Sequence, residues 1–284
     1  MEIDLAGPRN RGLAMGLNEA AGHGAVGLTA LLTGFLAARY GLRPEPFYVG
    51  IVYAVLGQIL SLFVVRDTRA YAKMEAAQRT TTENAVPSLA RVFANTGWRD
   101  RILFSVSQAG LVNNLNDGMS WDVYPPLFVA NGVSLEGVGI VKAVCPAIWG
   151  AGQVITGPLA NRFGRKPLIV WGMTTQAAGH LVIGLGLASP FATGVFGSVL
   201  LGLGTAMVYP ALLAAIGDAA HPSWRASSMG VYRFWRDLGY AVGALMAGVV
   251  AAMLGLVWAV HVAGILTFAS GLLAWRLMRE TLRS

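Results

Sequence analysis

The sequence is poor in everything that builds a metal centre, a disulfide framework or a hydrated surface: one cysteine, four histidines, fourteen acidic residues and a charged fraction of 12% among 284 positions. Cys145 on its own forms no internal disulfide, and the histidines at 23, 180, 221 and 261 lie in four separate segments without metal-ligand spacing. No metal and no cofactor are expected. There is no Walker-type phosphate loop, which disfavours an ATP-driven pump, and no paired-histidine, Ser/Lys or paired-aspartate constellation that would mark a membrane enzyme. The net charge of +7 is neither gathered on one module nor interleaved with aromatics, so it does not point to nucleic acid. The polar stretch Met1–Arg11 runs into an apolar block too long for a cleavable signal peptide.

What the chain has in abundance is apolar sequence. The residues AVILMFWYC make up 55% and the mean hydropathy is +0.57, where a soluble domain has about 45–50% apolar and about 25% charged residues. Eight blocks, 12–38, 46–65, 101–129, 137–160, 168–188, 191–217, 226–254 and 256–275, each supply the roughly 20 residues that cross a bilayer. The chain reads as an all-α polytopic membrane protein with eight transmembrane helices, its partner the lipid bilayer and no obligate protein partner evident. The one long connection, 66–100, mixes charges with Thr and a central Pro and reads as a surface linker with short interfacial helices. If the N-terminus is cytoplasmic, the basic residues of 9–11, 66–101, 162–166, 225 and 276–283 fall on the inner side, with only Arg39 and Arg43 outside. Both termini and the linker are therefore expected in the cytoplasm.

An internal repeat organises the blocks. A shift of 214 residues lays 11–42 over 225–256, with identities at Arg11/Arg225, Met15/Met229, Gly16/Gly230, Gly34/Gly248, Gly41/Gly255 and Leu42/Leu256 among others. Small residues recur in any packed membrane helix, but Arg-x3-Met-Gly and the closing Gly-Leu exceed that background. The first block is thus the counterpart of the seventh, six blocks later and in the same orientation. Between the fourth and fifth blocks stands Gly157-Pro158-Leu159-Ala160-Asn161-Arg162-Phe163-Gly164-Arg165-Lys166. Gly164 suits a tight turn, while Arg162, Arg165 and Lys166 are expected to hold the loop at the cytoplasmic face and reach helix ends or lipid phosphates.

The parallel six-helix repeat and this loop resemble the major facilitator superfamily, and the stretches at 7–19 and 202–218 look like it too, so the resemblance covers essentially the whole chain. It implies a helical bundle of that type in which the blocks correspond to the fifth through twelfth helices, the first four being absent from the sequence. Residues 1–66 would be the last two helices of the N-terminal half, 67–100 a cytoplasmic central linker, and 101–284 a complete C-terminal half. The family has an acidic residue where this chain has Asn161. That departure implies a weaker latch against the helix start near Arg11 and Gly12, because a neutral cap lacks the charge term of about 0.3–1 kcal/mol.

Polar and ionisable groups at membrane depth mark the candidate sites. In the third block Asn113, Asn116, Asp117 and Tyr124 share a helical face, ahead of Pro125 and Pro126, which read as helix-breaking; that face is expected to line a substrate cavity. Asp117, Glu19, Asp237 and His23 are the candidates for proton coupling. The repeat sets Glu19 level with Arg233 and His23 level with Asp237. Two ion pairs are expected: Arg233 with Asp237, one turn apart, and Asp122 with Lys142, at depths of about 10 and 8 Å on antiparallel neighbours. The second, fifth and eighth blocks carry no acidic or basic residue before their ends and read as lipid-facing scaffold.

The expected function is a secondary active transporter moving a small organic solute by alternating access in a bacterial-type plasma membrane, coupled to protons, with efflux slightly favoured by the sparse charge. The alternatives are a truncated, non-transporting remnant and, less favoured, a polytopic membrane enzyme.

Overall fold

The computed structural model describes residues 44–64 and 87–282, with scattered positions between 14 and 40. The first block, 12–38, and most of the 66–100 connection lie outside the described residues. In chain order the helices are α1 (Glu45–Phe63), the short α2 (Leu89–Ala94) leading into a π-helical turn (Asn95–Arg99), α3 (Arg101–Ala130), α4 (Leu135–Phe163), α5 (Arg165–Leu185), α6 (Pro190–Ala219), α7 (Arg225–Leu254) and α8 (Leu256–Leu277). No strand occurs among the described residues. The expected all-α bundle is what forms, with boundaries within a few residues of the apolar blocks.

Local chemistry sets the ends. The Asp100 carboxylate accepts the Ile102 and Leu103 amides at 2.9 Å each and starts α3, while Ser134 Oγ accepts the Gly137 amide at 3.1 Å and starts α4. Single glycines turn the chain between α4 and α5 and between α7 and α8: Gly164 has φ 100° and Gly255 φ 92°, a region that side-chain-bearing residues rarely adopt. Pro125 and Pro126 do not break α3, which continues to Ala130. The two carbonyls that lose their donors belong to Trp121 and Asp122.

Among the described residues five helices, α4 to α8, are long and apolar enough to cross a membrane; α3 is longer than most but its polar centre dilutes it. Large apolar side chains such as Leu245, Met253 and Ile265 project outward, as a lipid solvent requires. α6 is buried along most of its length between α4 and α5, α7 lies along α3, and α8 packs on α5 and α3. The α3–α7 seam is close because Gly239 and Gly243 bring α7 against the Leu111 and Leu115 carbonyls, and Gly118 returns the contact at the Tyr240 backbone.

Two sequence expectations are corrected. The end of the 66–100 connection is not surface: Val92 and Thr96 are buried, Thr96 Oγ1 and Ser228 Oγ lie 2.8 Å apart, and Phe93 packs on Phe234 and Trp235. A six-residue helix is too short for periodicity to separate from a loop. α5 is not lipid-facing scaffold either, since Gln176 and His180 are fully buried. Amides and neutral imidazoles escape a scan for charge, yet they are what α3 bonds to.

Candidate functional site

The core has a small apolar cluster of Trp149, Ala206 and Tyr209 and two large ones. One, around Leu103, Leu168, Leu212 and Tyr232, lies towards the end of the bundle carrying the Asn161–Lys166 loop; the other, around Met119, Phe128, Ile183 and Val260, lies towards the opposite end. Between them runs a polar layer. Gln176 of α5 donates to Asn113 at 2.9 Å and accepts from Asn116, so both asparagines are held by one amide. Tyr124 Oη and His180 Nδ1 are 2.9 Å apart one turn further on. Tyr209 of α6 donates to Asn114 at 3.4 Å, stacks on Trp149 with ring centroids 5.2 Å apart, and lies under the Arg236 guanidinium at 5.4 Å.

Beside this layer, between α3, α4 and α6, is a cavity with room of about 40 Å³, lined by Asp117, Ser120, Trp121, Tyr124, Lys142 and Trp149 together with Cys145, Ser198 and Leu201. Lys142 Nζ lies 3.7 Å from the Trp121 ring centroid and donates to the Ser120 carbonyl at 3.4 Å. On its other flank Asp117 accepts the Tyr240 hydroxyl at 3.5 Å, across the glycine seam from α7. The cavity therefore combines a cation, an anion and aromatic walls in a space that admits a small polar group.

The sequence candidates divide accordingly. Asp117 and Tyr124 line the cavity, whereas Asn113 and Asn116 turn their amides to α5 and are shut away from it. The pair between Asp122 and Lys142 does not form: Lys142 sits on Trp121, and Asp122 is exposed. Equal depth did not imply equal azimuth, because the 100° step from Trp121 to Asp122 carries the carboxylate off the inner face. The Arg233–Asp237 pair is likewise replaced. Arg236 holds Asp237 with Nη2–Oδ1 at 2.7 Å while Arg233 is exposed, since Arg236 is already drawn inward over Tyr209 and its long stem folds back on its neighbour. Glu19 and His23 lie outside the described residues. Trp121, Trp149, Tyr209 and Tyr240 were missed, and their only sequence signal is an aromatic carrying a polar atom in the middle of an apolar block.

A second polar centre surrounds the loop, where Gly157 and Asn161 stand in the last two turns of α4 and Lys166 in the first turn of α5. Of the two expected targets, helix ends and lipid phosphates, Arg165 takes the helix ends: its side chain is 0% exposed, its Nε lies 3.2 Å from Asp218 Oδ2 in the last turn of α6, and its Nη1 donates to Asn161 Oδ1 at 2.7 Å. Arg162 instead lies over the Phe163 ring at 5.6 Å. Glu280, beyond α8, caps α5 by accepting the Arg165 and Lys166 amides at 2.9 and 3.1 Å. The expected latch near Arg11 and Gly12 lies outside the described residues. Glu280→Ala is expected to speed amide hydrogen exchange at Arg165 and Lys166 by about fivefold, equivalent to a lost cap of about 1 kcal/mol. Unchanged exchange at both amides would show that the carboxylate does not hold the helix start.

The family model described as Major Facilitator Superfamily matches residues 106–284. Over 185 residues the chain is 25% identical to the inner membrane transport protein YnfM of Escherichia coli (strain K12), covering 64% of this chain and 43% of that protein. It is 28% identical over 141 residues to multidrug resistance protein 2 of Bacillus subtilis (strain 168), covering 42% of this chain and 34% of that protein. The chain thus spans less than half the length of these curated relatives. A crystal structure of a double-tryptophan mutant of XylE superposes with a TM-score of 0.75 at 16% identity, covering 99% of this chain and 67% of that one, a likeness of fold alone.

Proposed function

The chain belongs to the major facilitator superfamily, and from that premise we propose that it is a secondary transporter moving a small organic solute by alternating access, with the Asp117–Lys142 cavity as part of its solute path. The observation that carries the reading is one cavity beside the polar layer of the bundle holding opposite charges and three aromatic residues contributed by two helices, α3 and α4. Structural staples alone do not call for such a chamber. Asp117 is the proton-coupling residue in this reading, a carboxylate that reaches both the cavity and Tyr240 of α7 and so senses both. Asp237, held by Arg236, is the secondary candidate.

Efflux is the favoured direction, in line with the relative named for multidrug resistance and with the sparse charge of the cavity helices. The proposed organisation keeps 101–284 as one six-helix half, 67–100 as the linker and 1–66 as two helices of the other half, with the host a bacterial plasma membrane. Flux of labelled pyruvate, alanine and ethidium in proteoliposomes under an imposed pH gradient tests the function. Gradient-driven movement of at least one, lost in Asp117→Asn, is the expected result; no movement of any would mark a non-transporting relative.

Both termini and the linker are proposed to be cytoplasmic. In a Cys145→Ala background, cysteine at Ser88 should react with an impermeant maleimide only after the cells are opened, and cysteine at Asn131 should react from outside. Labelling of position 88 in intact cells reverses the orientation.

A further inference from the structure

We infer that Lys142 is the recognition residue for an anionic group of the solute, and that this group is a carboxylate-sized head; the inference deepens the transport reading just given and rests on it. Among the described residues two carboxylate ion pairs occur, Arg165 with Asp218 and Arg236 with Asp237, and no carboxylate oxygen comes within 4.0 Å of Lys142 Nζ. An ammonium has three protons to place. One goes to the Ser120 carbonyl, the Trp121 ring covers another side, and the remaining donor capacity faces the cavity that Lys142 lines. A cation at membrane depth is costly unless an anion or water compensates it. Carbonyl and ring are weaker partners than a carboxylate.

The second charge in the cavity decides the class of solute. Asp117 lines the same space and accepts the Tyr240 hydroxyl from α7, whereas Lys142 meets a carbonyl and aromatic rings, so donor capacity for a solute is offered by the cation. A room of about 40 Å³ holds a water or two, or the head of a carboxylate, and leaves the body of the solute outside against the half-exposed Trp121. With a carboxylate bound, Asp117 becomes a like charge in the same small space. Neutralising Asp117 should therefore tighten anion binding, while neutralising Lys142 should abolish it. Opposite signs from two residues of one cavity are not what damage to packing produces.

Fluorine NMR line-broadening of trifluoroacetate by the purified full chain in nanodiscs reads this binding without any flux, so its outcome is separate from that of the transport assay. Propionate is expected to displace the probe and propylamine to leave it bound. Lys142→Met should weaken the probe about tenfold or more, Lys142→Arg should keep it within about threefold, and Asp117→Asn should tighten it severalfold. If Lys142→Met does not fold, the competition on the parent chain and the Asp117→Asn result decide alone. Displacement by alanine better than by propionate, with Asp117→Asn weakening the probe, would mean a zwitterion site and overturn the inference. So would broadening that persists in Lys142→Met, or none in the folded parent.

Discussion

Arg165→Met is expected to destabilise the folded chain by about 3–5 kcal/mol, a fall of about 10 °C in the detergent melting temperature, because it takes the guanidinium away from a buried carboxylate. Asp218 is 5% exposed at its side chain, and the guanidinium that meets it at 3.2 Å also ties α5 to α4 through Asn161. The loss comes from the partner left behind more than from the pair itself. Removing both charges, as Arg165→Met with Asp218→Leu, should therefore recover most of the melting temperature. A single mutant that melts within about 1 kcal/mol of the parent would show that Asp218 is satisfied without Arg165. Asn161→Asp is expected to move the melting temperature far less, since the acid opposing Arg165 is already supplied from α6.

The second large effect lies in the α3–α7 seam. Gly239→Val is expected to cost about 3 kcal/mol or more and to cut the yield of folded protein, because even the first carbon of the new side chain would sit well inside 3.0 Å of the Leu111 carbonyl oxygen. Neither side can yield cheaply, as both surfaces are helix backbone. Gly243 repeats the arrangement one turn later against Leu115. On the same helix Gly230 and Gly248 meet nothing within 4 Å, so Gly230→Ala and Gly248→Ala should leave folding within about 0.5 kcal/mol. Equal yields from Gly239→Val and Gly248→Ala would mean that the helices do not approach as described. The seam matters for function because the Asp117–Tyr240 contact spans it, so a variant that folds with α7 displaced should also lose the effect of Asp117 on anion binding.

The glycines of this seam illustrate how the sequence could be read and where it stopped. Their presence in the seventh block was visible, but Gly239 and Gly248 look alike in sequence, and only the packed pair separates the one that touches from the one that does not. Lys142 is a similar case. Its depth was readable by counting residues from the helix end, and so was the need for a partner; the partner was misassigned to Asp122, which the helical twist turns outward. For Arg165 the sequence leaves helix ends and lipid phosphates equally open, since Asp218 and Glu280 lie 53 and 115 residues away along the chain.

The sequence by itself determined that the chain is an all-α membrane bundle, where its described long helices begin and end, and which family the loop at 157–166 belongs to. These are consequences of segment composition, of capping residues next to the segments, and of the roughly 20-residue thickness of a bilayer, all local along the chain. The tertiary structure decided which polar atoms satisfy one another: that Gln176 takes Asn113 and Asn116 of α3, that Arg236 and not Arg233 holds Asp237, and that Lys142 faces the cavity without a carboxylate of its own. Partner choice among helices depends on their relative rotation and lateral order, set by side-chain packing across the whole bundle. The hydropathy that inserts each span is nearly the same for every rotation about its axis.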